Sequence, residues 1–236
     1  MASVNKIRSA ERMTVRAIAF DALPIFNLSP IFAMVDLLFP GRGAELSAAW
    51  RTRQFEYCWL RSLSGHYADF WTVTEDALVF SAKTLRIDLT DDKRRQIMNG
   101  YLSLQPYPDV GPALAALRDS GVRLGFLSNF SPVMLETGIW TAGLSGLFEQ
   151  VLSTDLVRAY KPDPKAYRMG VEAFGLRPDE IVFAAFAGWD AAGARSFGYP
   201  TFWVNRLGLP AEELGVTADA SGASLTDLVA FVRRNV

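Results

Sequence analysis

The sequence predicts an α/β protein with a doubly wound, mainly parallel sheet (a Rossmann-like core) and an inserted helical subdomain. A first apolar strand ends at residue 20, and the apolar positions from there to about residue 106 recur only at helical spacing. From residue 109 onward, short apolar strands alternate with helices. This alternation is typical of a parallel sheet covered by helices on both faces. We predict a core of residues 1–27 and 107–236, and a helical insert of residues 28–106.

The composition is that of a globular protein without a polyanionic partner. Half of the 236 residues are hydrophobic, and 24 basic against 25 acidic residues leave a net charge of -1. Nucleic acids and acidic membranes attract proteins with an excess of positive charge, which is absent here. No apolar run reaches the ~18 residues needed to span a bilayer. The first fourteen residues lack the apolar core of a signal peptide, so we expect a cytoplasmic protein.

The single cysteine, Cys58, excludes an internal disulfide and a metal cage of thiolates. It lies in an apolar, aromatic stretch, so we predict a core residue.

Two signals mark helices within the insert. Leu78, Ala82 and Leu85 recur at the spacing of an amphipathic helix. Thr90 precedes two acids, which is typical of a helix start because the helix dipole favours negative charge in the first turn. The prolines at 106 and 108 then close the segment.

After the insert, glycines at 121, 175 and 198 follow apolar helical patterns and are typical helix ends. The predicted elements are, in order, helix 111–120, strand 123–127, a helix, strand 150–153, helix 164–174, strand 181–185, helix 191–198, strand 201–204 and a terminal helix from 224.

Polar residues follow several of these strands. A strand ends and a loop or helix begins at Asp21, Ser128, Asn129 and Asp190. The carboxyl ends of parallel strands share one edge of the sheet, where ligands bind. We call this edge the rim; Lys161 and the insert are placed to reach it. Asp21, among apolar neighbours, is a candidate nucleophile. A turn or cap aspartate is the plain alternative.

The sequence lacks the residues that several kinds of catalysis require. The one histidine, His66, is more typical of a surface or packing residue, and no G-x-S-x-G, P-loop or G-x-G-x-x-G motif is present. A carboxylate nucleophile remains, with Lys161 as the cation that keeps Asp21 ionised. Phosphoryl transfer would need magnesium and a second acid, whereas Leu23 stands two residues after Asp21. A halide leaves without being protonated, so displacement of halide from carbon suits this set, with no metal and no cofactor.

The chain resembles the L-2-haloacid dehalogenases of the haloacid dehalogenase superfamily over residues 15–235. The segments that carry the resemblance are Phe20–Asp21, Phe39–Gly43, Trp50–Gln54, Tyr57–Leu63, Thr74–Leu78, Leu127–Asn129, Tyr160–Asp163, Trp189–Arg195 and Trp203–Arg206.

The resemblance implies a reaction in two steps. Asp21 attacks C2 of a 2-haloalkanoate, expels halide with inversion and forms an ester, and Asp190 helps water to hydrolyse that ester. Lys161 holds Asp21 ionised. Arg42, delivered by the insert, helps to bind the departing halide, since a planar guanidinium suits anions.

The resemblance also implies the remaining contacts and a homodimer. Ser128 binds the substrate carboxylate, Asn129 contributes to the halide site, and Tyr167 lies close to Lys161 in the substrate site. The apolar walls are Trp189, Phe70 and Leu46, although core packing is the better explanation for each of them taken alone.

Four positions depart from the family pattern. Ile25 stands where the family usually has Thr, and Phe130 stands where it usually has Gly. Ala185 and Ala187 replace Ser and Asn beside Asp190. Loss of these polar groups predicts weaker ester hydrolysis. Two alternatives therefore stay open: a relative that binds small carboxylates with poor turnover, and a magnesium-dependent phosphatase.

Overall fold

A computed structural model describes residues 14–235 and has a six-stranded parallel sheet at its centre. The strands are, in chain order, β1 (Ala17–Phe20), β2 (Phe26–Asn27), β3 (Gln105–Pro106), β4 (Arg123–Ser128), β5 (Gln150–Ser153), β6 (Ile181–Ala185), β7 (Thr201–Val204) and β8 (Ala220–Gly222). The sheet order is β5-β4-β1-β6-β7-β8, and every neighbouring pair is parallel. The predicted fold class is confirmed.

Strand β1 lies in the middle of the sheet and sets the position of Asp21. Its four residues are completely buried, as the unbroken apolar run predicts for a strand covered on both faces. Phe20 is level with Phe126 of β4 and with Ala184 of β6. The residues that follow these three strands therefore meet at the rim.

The helices cover both faces of the sheet and form the insert. They are α1 (Ser29–Leu38), α2 (Gly43–Ser64), α3 (Phe70–Thr84), α4 (Asp91–Asn99), α5 (Val110–Asp119), α6 (Pro132–Thr141), α7 (Pro164–Phe174), α8 (Gly188–Phe197) and α9 (Leu225–Arg233). The hydroxyl of Thr90 caps α4, and that of Ser224 caps α9, where the sequence predicts helix starts. None of the helices between residues 14 and 235 is long and apolar enough to cross a membrane.

The helical insert contains α1 to α4 and joins the core through a short antiparallel pair. In this pair, Phe26 of β2 is opposite Pro106 of β3. Helices α2 and α3 pack against each other, and the indole N–H of Trp50 donates to the carbonyl of Thr74 at 2.8 Å. Cys58 is fully buried, as predicted.

The structure departs from the predicted elements in three places. The sequence analysis missed β8 and the β2–β3 pair, which are too short to show a two-residue periodicity. Helix α8 begins at Gly188 instead of residue 191, because Ala187 is extended and acts as the cap. Asp190 therefore lies in the first turn of α8, where the helix dipole favours an acid. The expectation for the chain's beginning falls on residues 1–13, outside the described residues.

Candidate active site

Lys161 joins the two predicted acids into one cluster. Its ammonium donates to Oδ1 of Asp21 at 2.9 Å and to Oδ2 of Asp190 at 2.6 Å. The side chains of Lys161 and Asp190 are 1% and 2% exposed, whereas that of Asp21 is 13% exposed. Asp21 is therefore the carboxylate of the cluster that a molecule in the cleft can reach.

The loop that carries Lys161 is tied to both the core and the insert. The backbone N–H of Lys161 donates to Oδ1 of Asn129 at 3.0 Å, next to the end of β4. The backbone N–H of Tyr160 donates to the hydroxyl of Ser62 in α2 at 3.0 Å, and the hydroxyl of Tyr160 donates to the carbonyl of Ala68 at 2.6 Å. These bonds hold the ammonium between the two strand ends.

Both carboxylate oxygens of Asp21 are oriented by neighbours. The backbone N–H of Leu23 donates to Oδ2 at 3.2 Å, and the hydroxyl of Ser128 donates to Oδ1 at 3.4 Å. The Ser128 hydroxyl itself accepts from the backbone N–H of Phe130 at 3.2 Å. The carboxylate is thus held in one orientation before any ligand arrives.

Asp190 is buried and shares its two oxygens between two donors. The hydroxyl of Tyr167 donates to Oδ1 at 2.7 Å, and Lys161 occupies Oδ2. Burial raises the pKa of Asp190 to about 6, although the charge of Lys161 opposes this shift. Burial and the charge of Asp190 raise the pKa of Tyr167 well above its usual value, so its hydroxyl stays a donor.

Lys161 keeps its charge at neutral pH. Burial by itself lowers the pKa of this ammonium, but the carboxylates of Asp190 and Asp21 outweigh that effect, and the pKa stands above its usual value. A charged ammonium therefore lies 2.9 Å from the carboxylate of Asp21.

Tyr167 is fully buried, and its hydroxyl is bonded to Oδ1 of Asp190. Tyr167 was predicted to lie in the substrate site close to Lys161; in the structure its hydroxyl donates to Asp190 and orients that carboxylate.

The alanines at 185 and 187 do not leave Asp190 without hydrogen bonds. Both of its oxygens have donors, from Lys161 and Tyr167. The orientation of Asp190 therefore does not depend on polar side chains at these two positions, and the expected weakness concerns the water that Asp190 would activate.

Arg42 is not brought to this cluster. Its guanidinium is 47% exposed at the start of α2, where it pairs with Glu45 at 2.7 Å and donates to the carbonyl of Leu85 at 3.1 Å. A side chain held by these partners on the outer edge of the insert is not placed at the rim.

A different face of α2 meets the rim. Arg51, Phe55 and Trp59 recur every four residues and so share one side of the helix. The rings of Phe55 and Trp59 lie 5.2 and 5.5 Å from the ring of Trp189, the residue before Asp190. The guanidinium of Arg51 lies 4.8 Å from the centre of the Phe55 ring. Arg51 and Phe55 were not among the predicted site residues. Their four-residue spacing shows that they share a face of α2 with Trp59, but it does not show that this face meets the rim.

Of the other predicted wall residues, Phe70 lies at the rim and Leu46 does not. The Phe70 ring stacks on Phe130, two residues after Ser128, with 5.3 Å between centroids. Leu46 is fully buried, and helix geometry puts it on the side of α2 away from Phe55. Leu46 is thus a packing residue of the insert.

No group of three or more His, Cys, Asp or Glu side chains is gathered for a metal ion anywhere in residues 14–235. Both carboxylates of the cluster are bonded to the ammonium of Lys161.

This fold and this cluster define the class of haloacid dehalogenase-like hydrolases, and the model of that family matches residues 15–198. The chain is 42% identical over 216 residues to the (S)-2-haloacid dehalogenase of Pseudomonas sp. (strain YL), with 91% of this chain and 93% of that protein covered. The crystal structure of the L-2-haloacid dehalogenase RSc1362 matches it with a TM-score of 0.92 and 44% identity, covering 93% of this chain and 99% of that one.

A further match is the L-2-haloacid dehalogenase of Xanthobacter autotrophicus with chloropropionic acid covalently bound, with a TM-score of 0.85 and 32% identity over 93% of this chain and 99% of that one. The chain belongs to the L-2-haloacid dehalogenase family.

Proposed function

We propose that this protein hydrolyses the carbon–halogen bond of short 2-haloalkanoates, giving 2-hydroxyalkanoates and halide. The observation that carries the proposal is the accessible Asp21 carboxylate, 2.9 Å from the ammonium of the buried Lys161. The family, whose relatives are named for this reaction, supports the same conclusion.

In the first step a carboxylate oxygen of Asp21 attacks C2 of the substrate. The new C–O bond forms as the carbon–halogen bond breaks, the halide leaves with the bonding electrons, and C2 is inverted. Lys161 keeps the attacking group ionised. No proton is transferred, so this step needs no general acid.

Substrate binding is assigned to side chains of the rim and the insert. The Ser128 hydroxyl binds the substrate carboxylate by turning its one proton away from Asp21, to which it donates at 3.4 Å. The oxygen of the Asn129 amide is engaged by the Lys161 backbone and the Thr154 hydroxyl, so its NH₂ group is the end that donates to the halide. We assign to Arg51 the role that was predicted for Arg42, which is to supply the cation of the insert to the halide.

The apolar part of the pocket is assigned to aromatic rings. Trp189 and Phe70 keep their predicted roles as walls. Phe55 replaces Leu46, because its ring contacts Trp189.

In the second step water adds to the carbonyl carbon of the Asp21 ester. Ionised Asp190 accepts a proton from this water and returns it to the departing oxygen, so that the 2-hydroxyalkanoate leaves as an alcohol with the oxygen that had attacked it. The new carboxyl group of Asp21 releases its remaining proton to solvent. Tyr167 and Lys161 hold Asp190 in position. Asp21 is then a free carboxylate again.

The test is halide release from chloroacetate and from each enantiomer of 2-chloropropionate, with p-nitrophenyl phosphate as the competing substrate. Steady halide release supports the proposal. A protein that forms neither halide nor an ester contradicts it and supports a small-carboxylate binder. Phosphatase activity that a chelator removes would instead support the magnesium-dependent alternative.

We expect Arg51→Lys to lower kcat/KM for chloroacetate by roughly 10- to 100-fold, since an ammonium cannot reproduce the planar fork of donors. Arg42→Lys is the matched control, because its guanidinium bonds to Glu45 and Leu85. Steady-state kinetics of both variants check this prediction. A large loss in Arg42→Lys with little change in Arg51→Lys would reverse the assignment.

We expect kcat to fall as the pH drops through about 6, the pKa to which burial raises Asp190. Asp190 must be ionised to take a proton from water, and below this pKa it is protonated, so ester hydrolysis slows on the acidic side. Halide release measured from roughly pH 5 to 8 reports this limb. A rate that is flat through pH 6 would contradict the role of Asp190 in a rate-limiting second step.

We also propose that residues 28–106 act as a cap subdomain, that the protein is cytoplasmic, and that it forms a homodimer. Exposed apolar side chains on the insert, including Leu60, Leu63 and Phe80, support the dimer. Light scattering on the eluted protein measures its mass, and a monomer at all concentrations would exclude the dimer.

A further inference from the structure

A buried chain of hydrogen bonds fixes the side chain of Arg51. The guanidinium of Arg51 donates to Oε1 of Gln54, and Nε2 of Gln54 donates to the hydroxyl of Thr74. That hydroxyl donates in turn to the carbonyl of Phe70 at 2.5 Å. Because Thr74 donates its only hydroxyl proton to this carbonyl, its oxygen must accept from the NH₂ group of Gln54. The side-chain oxygen of Gln54 is therefore turned to Arg51.

The Tyr101 hydroxyl lies beside this chain without joining it. It faces the side chains of Gln54 and Arg51, yet it has no hydrogen-bond partner of good geometry among residues 14–235. Its ring is fully buried, 6.0 Å from the ring of Trp50 and 5.9 Å from that of Phe130 at the rim. A buried hydroxyl without a partner is rare in proteins and needs an explanation.

The Tyr101 hydroxyl is protonated and can therefore donate a hydrogen bond. Burial raises the pKa of Tyr101 above its usual value, so the proton stays on the oxygen. The Gln54 amide is already engaged at both ends, by Arg51 and by Thr74. An anion is the ligand that suits an O–H and a guanidinium together, because hydrogen bonds from a cation to an anion are the strongest that the pair can make.

We propose that Tyr101 and Arg51 are two donors to one anion, so that the substrate supplies the partner that the Tyr101 hydroxyl lacks. This inference rests on the proposed function, in which the substrate brings a carboxylate and releases a halide. The substrate carboxylate and the released halide are both anions, so either of them can accept from Tyr101 and Arg51. Gln54 and Thr74 act as positioning residues, because they set the direction of the Arg51 guanidinium.

The test is an equilibrium titration of wild type and Tyr101→Phe with sodium bromide and, separately, with sodium acetate, followed by tryptophan fluorescence. We expect one of these anions to bind Tyr101→Phe roughly 10- to 150-fold more weakly, the effect of losing one hydrogen bond to a charged group. Weaker bromide binding assigns the site to the leaving halide, and weaker acetate binding assigns it to the substrate carboxylate.

The control is Tyr67→Phe, which removes a hydroxyl that donates to Asp155 at 2.8 Å. This variant should lose thermal stability and bind both anions as wild type does, whereas Tyr101→Phe should keep its Tm. Unchanged binding of both anions in Tyr101→Phe would overturn the inference, as would a fall in Tm equal to that of the control. The titration needs no turnover, so its outcome is separate from whether the wild type releases halide.

Discussion

Asp21→Asn is expected to lower halide release from chloroacetate by on the order of 10⁴-fold or more, the scale seen when an enzyme loses its nucleophile. The amide has nearly the shape of the carboxylate but is a far weaker nucleophile. Lys161 keeps its bond to Asp190 in this variant, so the buried ammonium is not left unpaired. Halide assay of the purified variant measures the loss, and its Tm shows whether the fold is retained.

The matched control is Asp119→Asn, which makes the same chemical change at an exposed position of α5. It should release halide at the wild-type rate. Equal release by wild type and Asp21→Asn would remove the nucleophile assignment.

Asp190→Asn is expected to stop the reaction after the first step. Asp21 can still displace halide, but no ionised carboxylate then accepts the proton of the attacking water, and loss of such a base costs roughly 10²- to 10⁴-fold. We expect one equivalent of halide per active site, followed by a much slower phase. Intact-protein mass spectrometry after mixing with chloroacetate should show a carboxymethyl ester.

An Asp190→Asn variant that turns over at the wild-type rate would refute this role. Wild type provides the comparison for the alanines at 185 and 187. If the alanines at 185 and 187 strongly weaken the binding of the attacking water, the wild type also accumulates ester during turnover. A wild type that shows no ester has a fast second step.

The core of the fold could be predicted closely from the sequence. Strand β6 and helix α7 have the predicted bounds. The polar Glu180 precedes the apolar run of β6, and α7 lies between its cap Asp163 and Gly175, which adopts a left-handed conformation. The convergence of Asp21, Ser128 and Asp190 follows from the topology alone, since parallel strands share a carboxyl edge.

The bonds of Lys161 could not be derived in this way. Its loop position depends on contacts with Asn129 and with Ser62, residues far away in the chain. The residues and the resemblance both suggested Lys161 as the cation beside Asp21, and the structure supplies its bonds to both acids.

The insert was the hardest part to predict. Choosing between Arg42 and Arg51 requires knowing which side of α2 faces the core, and the amphipathic pattern of a helix that packs on several neighbours does not give that side. The Tyr101 hydroxyl drew no attention in the sequence, because its lack of a partner is a property of packing and has no sequence signal.

In the proposed reaction the carboxylate of Asp21, and not water, displaces the halide. A single turnover with enzyme in excess over chloroacetate in ¹⁸O-labelled water distinguishes these two nucleophiles. We expect unlabelled glycolate, because its new oxygen comes from Asp21, and ¹⁸O in the peptide that contains Asp21. Labelled glycolate in that first turnover, with an unlabelled Asp21 peptide, would show that water is the nucleophile.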